Sequence, residues 1–340
     1  MCVSCTTKCN TLKYGTILRI CQVSISKLKI FFIGSGDIAV PILTRLHDEE
    51  SIEVVGVASQ PDRPAGRKRV LTPSPLAKAA EGLGLTVIRA ASVNNPEFLA
   101  TVRASGAEMI VVASFGQLLK EELLALPRFG CVNIHASLLP RYRGASPIAM
   151  AILNRESETG VAFMRMERGL DTGAVYRMLR LPLTGEEYAN SLEIALGELA
   201  AQYAGETLLA IAAGDLAAVP QDDTLATCCG KIAKASGEID WQTMDACRID
   251  AMVRAFTPWP GAYAGCRVAK GDLTLTLNRV KAADGFTLKP GECAPLKKRL
   301  VIGCAGDTAL EVLEVTPSGG KLLNAAAFLN GLRGELPLFK

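Results

Sequence analysis

The chain has 340 residues, 49% of them hydrophobic and 21% charged, a composition that suits a globular chain long enough for two domains and excludes the collagen-like and disordered classes. Its apolar runs, such as 109–113, fall far short of the roughly 20 residues that cross a bilayer, so no membrane span is expected. The net charge of +3 is uneven: residues 229–340 carry 15 Lys/Arg against 11 Asp/Glu, a balance of +4 that leaves the first 228 residues at −1, and this basic C-terminal third is compatible with a nucleic-acid contact without requiring one.

Residues 1–27 carry Lys8, Lys13, Arg19 and Lys27, and no acidic residue precedes Asp37. This resembles an organellar transit peptide and has no apolar core for secretion; a disordered extension on a cytoplasmic protein is the simpler expectation. Cys2, Cys5 and Cys9 form C-x2-C-x3-C with no well-spaced fourth ligand, so no metal is expected there. The eleven cysteines are too dilute for a disulfide scaffold, and Cys131, Cys247 and Cys304 stand singly among apolar neighbours, as small buried hydrophobes do in a reducing compartment.

From residue 28 apolar runs at 29–33, 53–58, 86–88, 109–113 and 132–134 alternate with helix-like segments near 38–47, 75–83, 96–104 and 119–125. Short buried strands alternating with helices predict parallel βαβ units in a doubly wound, Rossmann-like sheet, with ligands beyond the carboxyl ends of its strands. Gly34-Ser-Gly36-Asp-Ile-Ala39 follows the first run and matches G-x-G-x-x-A, a turn whose N–H groups can approach an anion or serve a bare strand-to-helix turn. Asp62 is the one candidate for the acidic partner of a dinucleotide. His47 reads as an ordinary helix-end residue.

Residues 60–75 are a long insertion between strand and helix, with Arg63, Arg67, Lys68 and Arg69 held between prolines. Four cations in seven residues suit a phosphate backbone; a solvated basic loop is the plain alternative. Asn133 and His135 end the fifth strand two residues apart, so both side chains share one face. Asp171 lies at the turn between runs 161–166 and 174–181, which read as a hairpin. An Asp beside an imidazole favours its charged form and fixes its orientation, and Asn can donate to a developing oxyanion: this is equipment for acyl transfer without a protein nucleophile. The same three residues can also be structural.

A long Ala- and Leu-rich helix near 191–213 closes the first domain, and the polar segment 214–228 is the candidate linker. Beyond it a short helix near 244–254 precedes alternating runs at 273–280, 300–303 and 310–315, which predict a small β-barrel. The expected organisation is an extension (1–27), a catalytic domain (28–213), a linker (214–228) and a C-terminal domain (229–340).

The run Asn133-Ile-His135-Ala-Ser-Leu-Leu-Pro-Arg-Tyr-Arg-Gly144, with Glu158-Thr-Gly-Val161 and Gly169-Leu-Asp171-Thr-Gly173, resembles the signature of the folate-dependent formyltransferases. The 60–75 insertion is similar to that of the branch acting on a charged tRNA. Ser236-Gly-Glu-Ile-Asp-Trp241 and Arg254-Ala-Phe-Thr-Pro-Trp-Pro-Gly261 resemble the start of that branch's OB-like second domain, so the likeness covers about 28–335. The resemblance implies a monomer that moves a formyl group from 10-formyltetrahydrofolate to initiator methionyl-tRNA, without a metal, using Asn133, His135 and Asp171. It implies folate contacts from Ser137, Leu138, Leu139 and Pro140 and from Phe115, Gly116, Gln117 and Leu118. It places Arg63, Arg67, Lys68 and Arg69, Arg67 above all, on the tRNA. The family usually has Trp at Tyr142 and Asp at Ala174. A folate-dependent amino-sugar formyltransferase or a 10-formyltetrahydrofolate hydrolase would share the trio without needing the basic insertion, and a non-enzymatic NAD-binding module would need the Gly34 motif instead.

Overall fold

The computed structural model describes residues 27–340 except 67, 68, 270, 333 and 334. Cys2, Cys5 and Cys9 and the transit-peptide reading, like Arg67 and Lys68, therefore lie outside the described residues. Among the described residues no helix is long and apolar enough to cross a membrane.

Five parallel strands, β1 (Leu28–Gly34), β2 (Ile52–Ser59), the ribbon strands β3 (Arg63–Ala65) and β4 (Val70–Thr72) aside, then β5 (Val87–Arg89), β6 (Met109–Ala113) and β7 (Cys131–His135), form the body of the first sheet. After the two-residue β8 (Arg143–Gly144), an antiparallel hairpin of β9 (Glu158–Arg165) and β10 (Val175–Pro182) extends it to the order β10-β9-β7-β6-β1-β2-β5. The helices between them are α1 (Ala39–His47), α2 (Pro75–Gly82), α3 (Pro96–Ser105), α4 (Glu121–Leu124), α5 (Pro147–Leu153) and α6 (Ala189–Ala213). Two starts are written in the sequence: Ser74 and Asn95 accept the Ala77 and Phe98 amides at 3.1 and 2.7 Å, each just before a first-turn proline. Alternation sends Phe31, Ile33, Ile110 and Val112 to one face, under Phe98, Leu99 and Val102 of α3. Ile30, Phe32, Val111 and Val132 go to the other, against Ile42 and Leu43 of α1 and Leu192 and Leu196 of α6. Burial on both faces is what makes these strands read as continuous apolar runs. His47 ends α1 and is exposed.

After the short strand β11 (Cys228–Cys229), the C-terminal part holds α7 (Ala246–Ala255), β12 (Ala262–Val268), β13 (Gly271–Ala282), β14 (Leu300–Cys304), β15 (Thr308–Pro317), β16 (Leu323–Asn324), α8 (Ala325–Gly331) and β17 (Leu338–Phe339). The antiparallel order β14-β15-β13-β12-β17 curls until its edges are bridged through residue 291, whose N–H donates to Gly303 O (2.9 Å) and whose carbonyl accepts from Phe339 N (3.1 Å). Edge closure of this kind satisfies backbone groups that an open sheet would expose. Its interior, Leu275, Leu277, Ile302 and Leu310 with Trp241 and Phe339, is continuous with the core under α5 and α6.

Three expectations change. The 60–75 insertion is an antiparallel ribbon of β3 and β4 rather than an irregular loop. Segment 214–228, read as a linker, is bonded along much of its length to the first domain: Val219 exchanges both backbone bonds with Val175 at 2.8 Å, and β11 pairs with β8. Cys131 and Cys304 are buried, burial pushing each thiol up to about 12, but Cys247 is exposed.

Candidate active site

The carboxyl ends of adjacent strands β6 and β7 deliver two loops to one crevice, beside the point where strand order reverses between β1 and β6. His135 is the last residue of β7 and only 6% exposed; Asn133, two residues earlier, is half-buried on the same face. Asp171 comes from the turn between β9 and β10, in the left-handed region at φ 53°, where Asp is tolerated better than most residues.

The three side chains meet. Asn133 Nδ2 donates to Asp171 Oδ1 at 3.3 Å, and His135 Nδ1 stands 3.7 Å from Asp171 Oδ2. His135 Nε2 lies 2.9 Å from the Tyr142 carbonyl. A carbonyl only accepts, so Nε2 carries a proton and Nδ1 is the ring nitrogen facing the carboxylate and the crevice. Asp171 Oδ2 also accepts the Gly144 amide at 2.8 Å. The carboxylate is thus held from two sides, by a backbone donor and by Asn133, and is 14% exposed.

Gly144 makes this possible. Its φ is 113°, and a Cβ would stand 2.2 Å from the Cys229 carbonyl, so no other residue allows β8 to lie this close to β11. Behind it Arg143 is buried, donating to Gln221 Oε1 from Nε (3.1 Å) and from a terminal nitrogen (2.8 Å), and to Asp223 at 2.6 Å. Cys229 accepts the Ser146 amide at 3.4 Å, and burial raises its thiol pKa.

The loop after β6 turns twice through the left-handed region, at Ser114 (φ 50°) and Gly116 (φ 79°). Gln60 donates to Phe115 O (3.1 Å), Asn94 to Leu118 O (2.9 Å), and Gln117 bridges Val93 N (3.3 Å) and Ala91 O (3.2 Å). Phe115 is buried, whereas Gly116 and Leu118 are exposed. In the loop after β7 the Ser137 hydroxyl is spent on Arg141 O (2.7 Å), Leu139 packs on Ala162 and Met164, and Leu138 and Pro140 are half-buried. A ligand between these loops meets main-chain groups and apolar side chains.

The Gly34 motif serves the fold instead. The Ser35 and Gly36 amides both donate to Ser114 O (3.0 and 3.4 Å), and Ile38 N to the Glu193 carboxylate (3.3 Å). The donors a pyrophosphate would need are taken, one of them by an anion already there. Asp62 is paired with Arg89 at 3.2 Å. The dinucleotide reading falls. Tyr142 likewise leaves the trio undisturbed: only its carbonyl touches His135, while its hydroxyl reaches Glu156 and accepts from Asn154 at 2.9 Å. Ala174 contributes its carbonyl to Arg165 N at 2.8 Å.

The ribbon projects Arg63 and Arg69 into solvent beside Val70 and Leu71, 60% and 66% exposed.

Residues 27–207 match the family model described as formyl transferase, and residues 231–333 match that of the formyl transferase C-terminal domain. The chain belongs to the formyl transferase family. Among its formyl transferase relatives, the methionyl-tRNA formyltransferase of Geobacter metallireducens is 41% identical over 309 residues, covering 91% of this chain and 97% of that protein. That of Caldanaerobacter subterraneus is 39% identical over 306 residues, covering 89% and 97%. Solved structures share the fold at low identity. HypX from Aquifex aeolicus in complex with tetrahydrofolic acid has a TM-score of 0.61 at 18% identity, over 90% of this chain, which spans about half (48%) of HypX. The sugar 3N-formyl transferase WlaRD has a TM-score of 0.61 at 17% identity, over 84% of this chain and 97% of that one.

Sequence reasoning missed four contributors to this candidate site: the Tyr142 carbonyl, the Gly144 amide, Arg143 and Gln221. Arg143 and Gly144 lie within the quoted motif, but nothing local marks their roles. Gln221 is 50 residues from the turn it binds, in a segment whose composition says only linker.

Proposed function

We propose that this chain transfers the formyl group of 10-formyltetrahydrofolate to the α-amine of methionine on initiator methionyl-tRNA. The observation that carries the reading is the convergence of Asn133, His135 and Asp171 at the carboxyl ends of the strands, in a chain about 40% identical to methionyl-tRNA formyltransferases over nearly their whole length. The two loops flanking the trio, with Phe115, Gly116, Gln117 and Leu118 on one side and Ser137, Leu138, Leu139 and Pro140 on the other, hold the folate between main-chain groups.

The amine attacks the formyl carbon directly, and the carbonyl oxygen becomes an oxyanion. Nδ1–H of a His135 imidazolium and the Asn133 amide face that oxygen, while Asp171 supplies the counter-charge to the ring. The amine proton passes to Asp171 through water, the bond from carbon to the folate nitrogen breaks as the carbonyl re-forms, and Asp171 returns the proton through water to that nitrogen as it leaves. Residues 28–213, with segment 214–228 bonded to them, perform this chemistry, and 229–340 hold the tRNA. The exposed cations Arg63 and Arg69, with Arg67 and Lys68 between them in sequence, follow the acceptor's phosphates.

The test is an assay with labelled 10-formyltetrahydrofolate, offering charged initiator tRNA, a nucleotide-linked amino sugar or water alone. Label on the aminoacyl-tRNA is the expected result. Label on the sugar, or free formate at the same rate without an acceptor, overturns the assignment.

A further inference from the structure

Segment 214–228 does more at this site than connect two domains. Val219 is zipped to Val175, Thr227 O accepts the Arg143 amide at 2.8 Å, and Thr227 Oγ1 accepts the Tyr142 amide at 2.8 Å. Gln221 sits between these anchors. Its Nε2 donates to two carbonyls of the turn that presents the carboxylate, Asp171 O at 2.8 Å and Gly173 O at 2.7 Å. Its Oε1 accepts both Arg143 bonds. Arg143 lies between Tyr142, whose carbonyl holds His135, and Gly144, whose amide holds Asp171.

We infer that Gln221 is a positioning residue for the transfer reaction: its carboxamide ties the turn carrying Asp171 to the loop that holds His135, so the carboxylate and the imidazole keep one spacing. The turn itself shows why such a tie matters. Asp171 is left-handed and Gly169 has a φ of 130°; the turn is held where β9 and β10 pair, by Met166 N donating to Cys131 O (2.8 Å) and by the Asp171 carboxylate bonded to Asn133 and Gly144, and Gln221 adds the bonds to its Asp171 and Gly173 carbonyls. Without Gln221 the two carbonyls lose their donor and the buried Arg143 loses an acceptor, so the Gly144–Asp171 bond must hold the turn to the loop without this backbone brace, and the spacing loosens. Both glutamine groups are used, and neither Asn, which is too short, nor Glu, which cannot donate, replaces them.

This inference rests on the proposed role of Asp171, and the experiment separates the two. Formyl transfer to charged tRNA is measured for Gln221→Ala, Gln221→Glu, Asp171→Asn, the Gln221→Ala/Asp171→Asn double variant and Asp222→Ala. Asp222→Ala disturbs the same segment by removing the Asp222 bonds to Thr224 (3.0 and 2.7 Å) without touching the turn. Gln221→Ala is expected to lower kcat about tenfold to a hundredfold, the cost of an ångström-scale misplacement, with KM for both substrates within about threefold. Gln221→Glu keeps an acceptor for Arg143 and is expected to lose as much, assigning the effect to the lost donor; it also decides the matter if the alanine variant does not fold. The double variant is expected to be no slower than Asp171→Asn alone, and Asp222→Ala to keep kcat. Normal kcat in Gln221→Glu, or in a folded Gln221→Ala, beside an inactive Asp171→Asn overturns the role of Gln221 and leaves that of Asp171 standing. Normal kcat in Asp171→Asn overturns both.

Discussion

Gly144→Ala tests whether the close approach of β8 and β11 sets the position of the Asp171 carboxylate, the proposed catalytic group. The added Cβ would lie 2.2 Å from the Cys229 carbonyl, and relieving the overlap to 3.0 Å means opening the pair by about 0.8 Å. The three atoms nearest that Cβ are all Cys229 backbone, so no side chain can swing aside. Placing alanine at a φ of 113° costs about 1–3 kcal/mol, and weakening the amide bond to the Asp171 carboxylate, 2.8 Å here, costs about 1.5–3 kcal/mol. Against a typical total of about 5–15 kcal/mol, a loss of roughly 2.5–6 kcal/mol is a large share and lowers the denaturation midpoint clearly. Because the displaced amide holds Asp171, kcat should fall about a hundredfold. Urea unfolding and formyl-transfer kinetics measure the two effects. Gly265→Ala is the control: its Cβ meets nothing within 4 Å, so stability should stay within about 0.5 kcal/mol. A Gly144→Ala enzyme with wild-type stability and kcat refutes the reasoning.

Arg63→Ala with Arg69→Ala removes two exposed cations of the ribbon. KM for the tRNA should rise, and the slope of log affinity against log salt should shallow by about one per phosphate contact removed, while folate KM holds; an unchanged slope removes the ribbon from the tRNA interface. Glu193, half-buried over the first turn of α1, has its pKa raised, chiefly by desolvation, with Asp37 adding to it and the Ile38 amide opposing. A raised carboxylate pKa means the folded state binds the proton more tightly, so stability falls as pH climbs from the ordinary value of 4.5 through the raised one. Glu193→Gln, which can still accept from Ile38, should be the more stable form at pH 7.5, and the difference should close below pH 4.5; thermal melts across that range that stay parallel contradict it.

The parallel sheet was legible because strands buried on both faces must be apolar throughout, as in the 109–113 run, and because helix-like segments near 38–47, 75–83, 96–104 and 119–125 alternate with them. Asn133 and His135 were legible from their spacing on a strand end, and Asp171 from its place at a hairpin turn. What local sequence could not show depends on contacts made at long range. Segment 214–228 is polar with Pro220, the composition of a linker, and only its pairing with residues 140–145 and 171–175 makes it part of the site. The Gly34 motif left two readings open, and the structure takes the bare turn: its glycines are needed because Ala113 O and Ser114 Oγ would each lie 2.5 Å from an added Cβ, a packing demand indistinguishable in sequence from an anion cradle. Helix α5 was not legible because its seven residues, all apolar, are too short to show a helical period.

The most direct measurement is the single-turnover rate of formyl transfer from labelled 10-formyltetrahydrofolate to charged initiator tRNA, with both substrates saturating, for the wild type and His135→Ala. If Nδ1 of His135, beside Asp171 at 3.7 Å, faces the oxyanion, the rate should fall by about 10²–10³ with both substrates still bound. A rate within a few-fold of wild type would contradict the assignment of the trio as the transfer machinery.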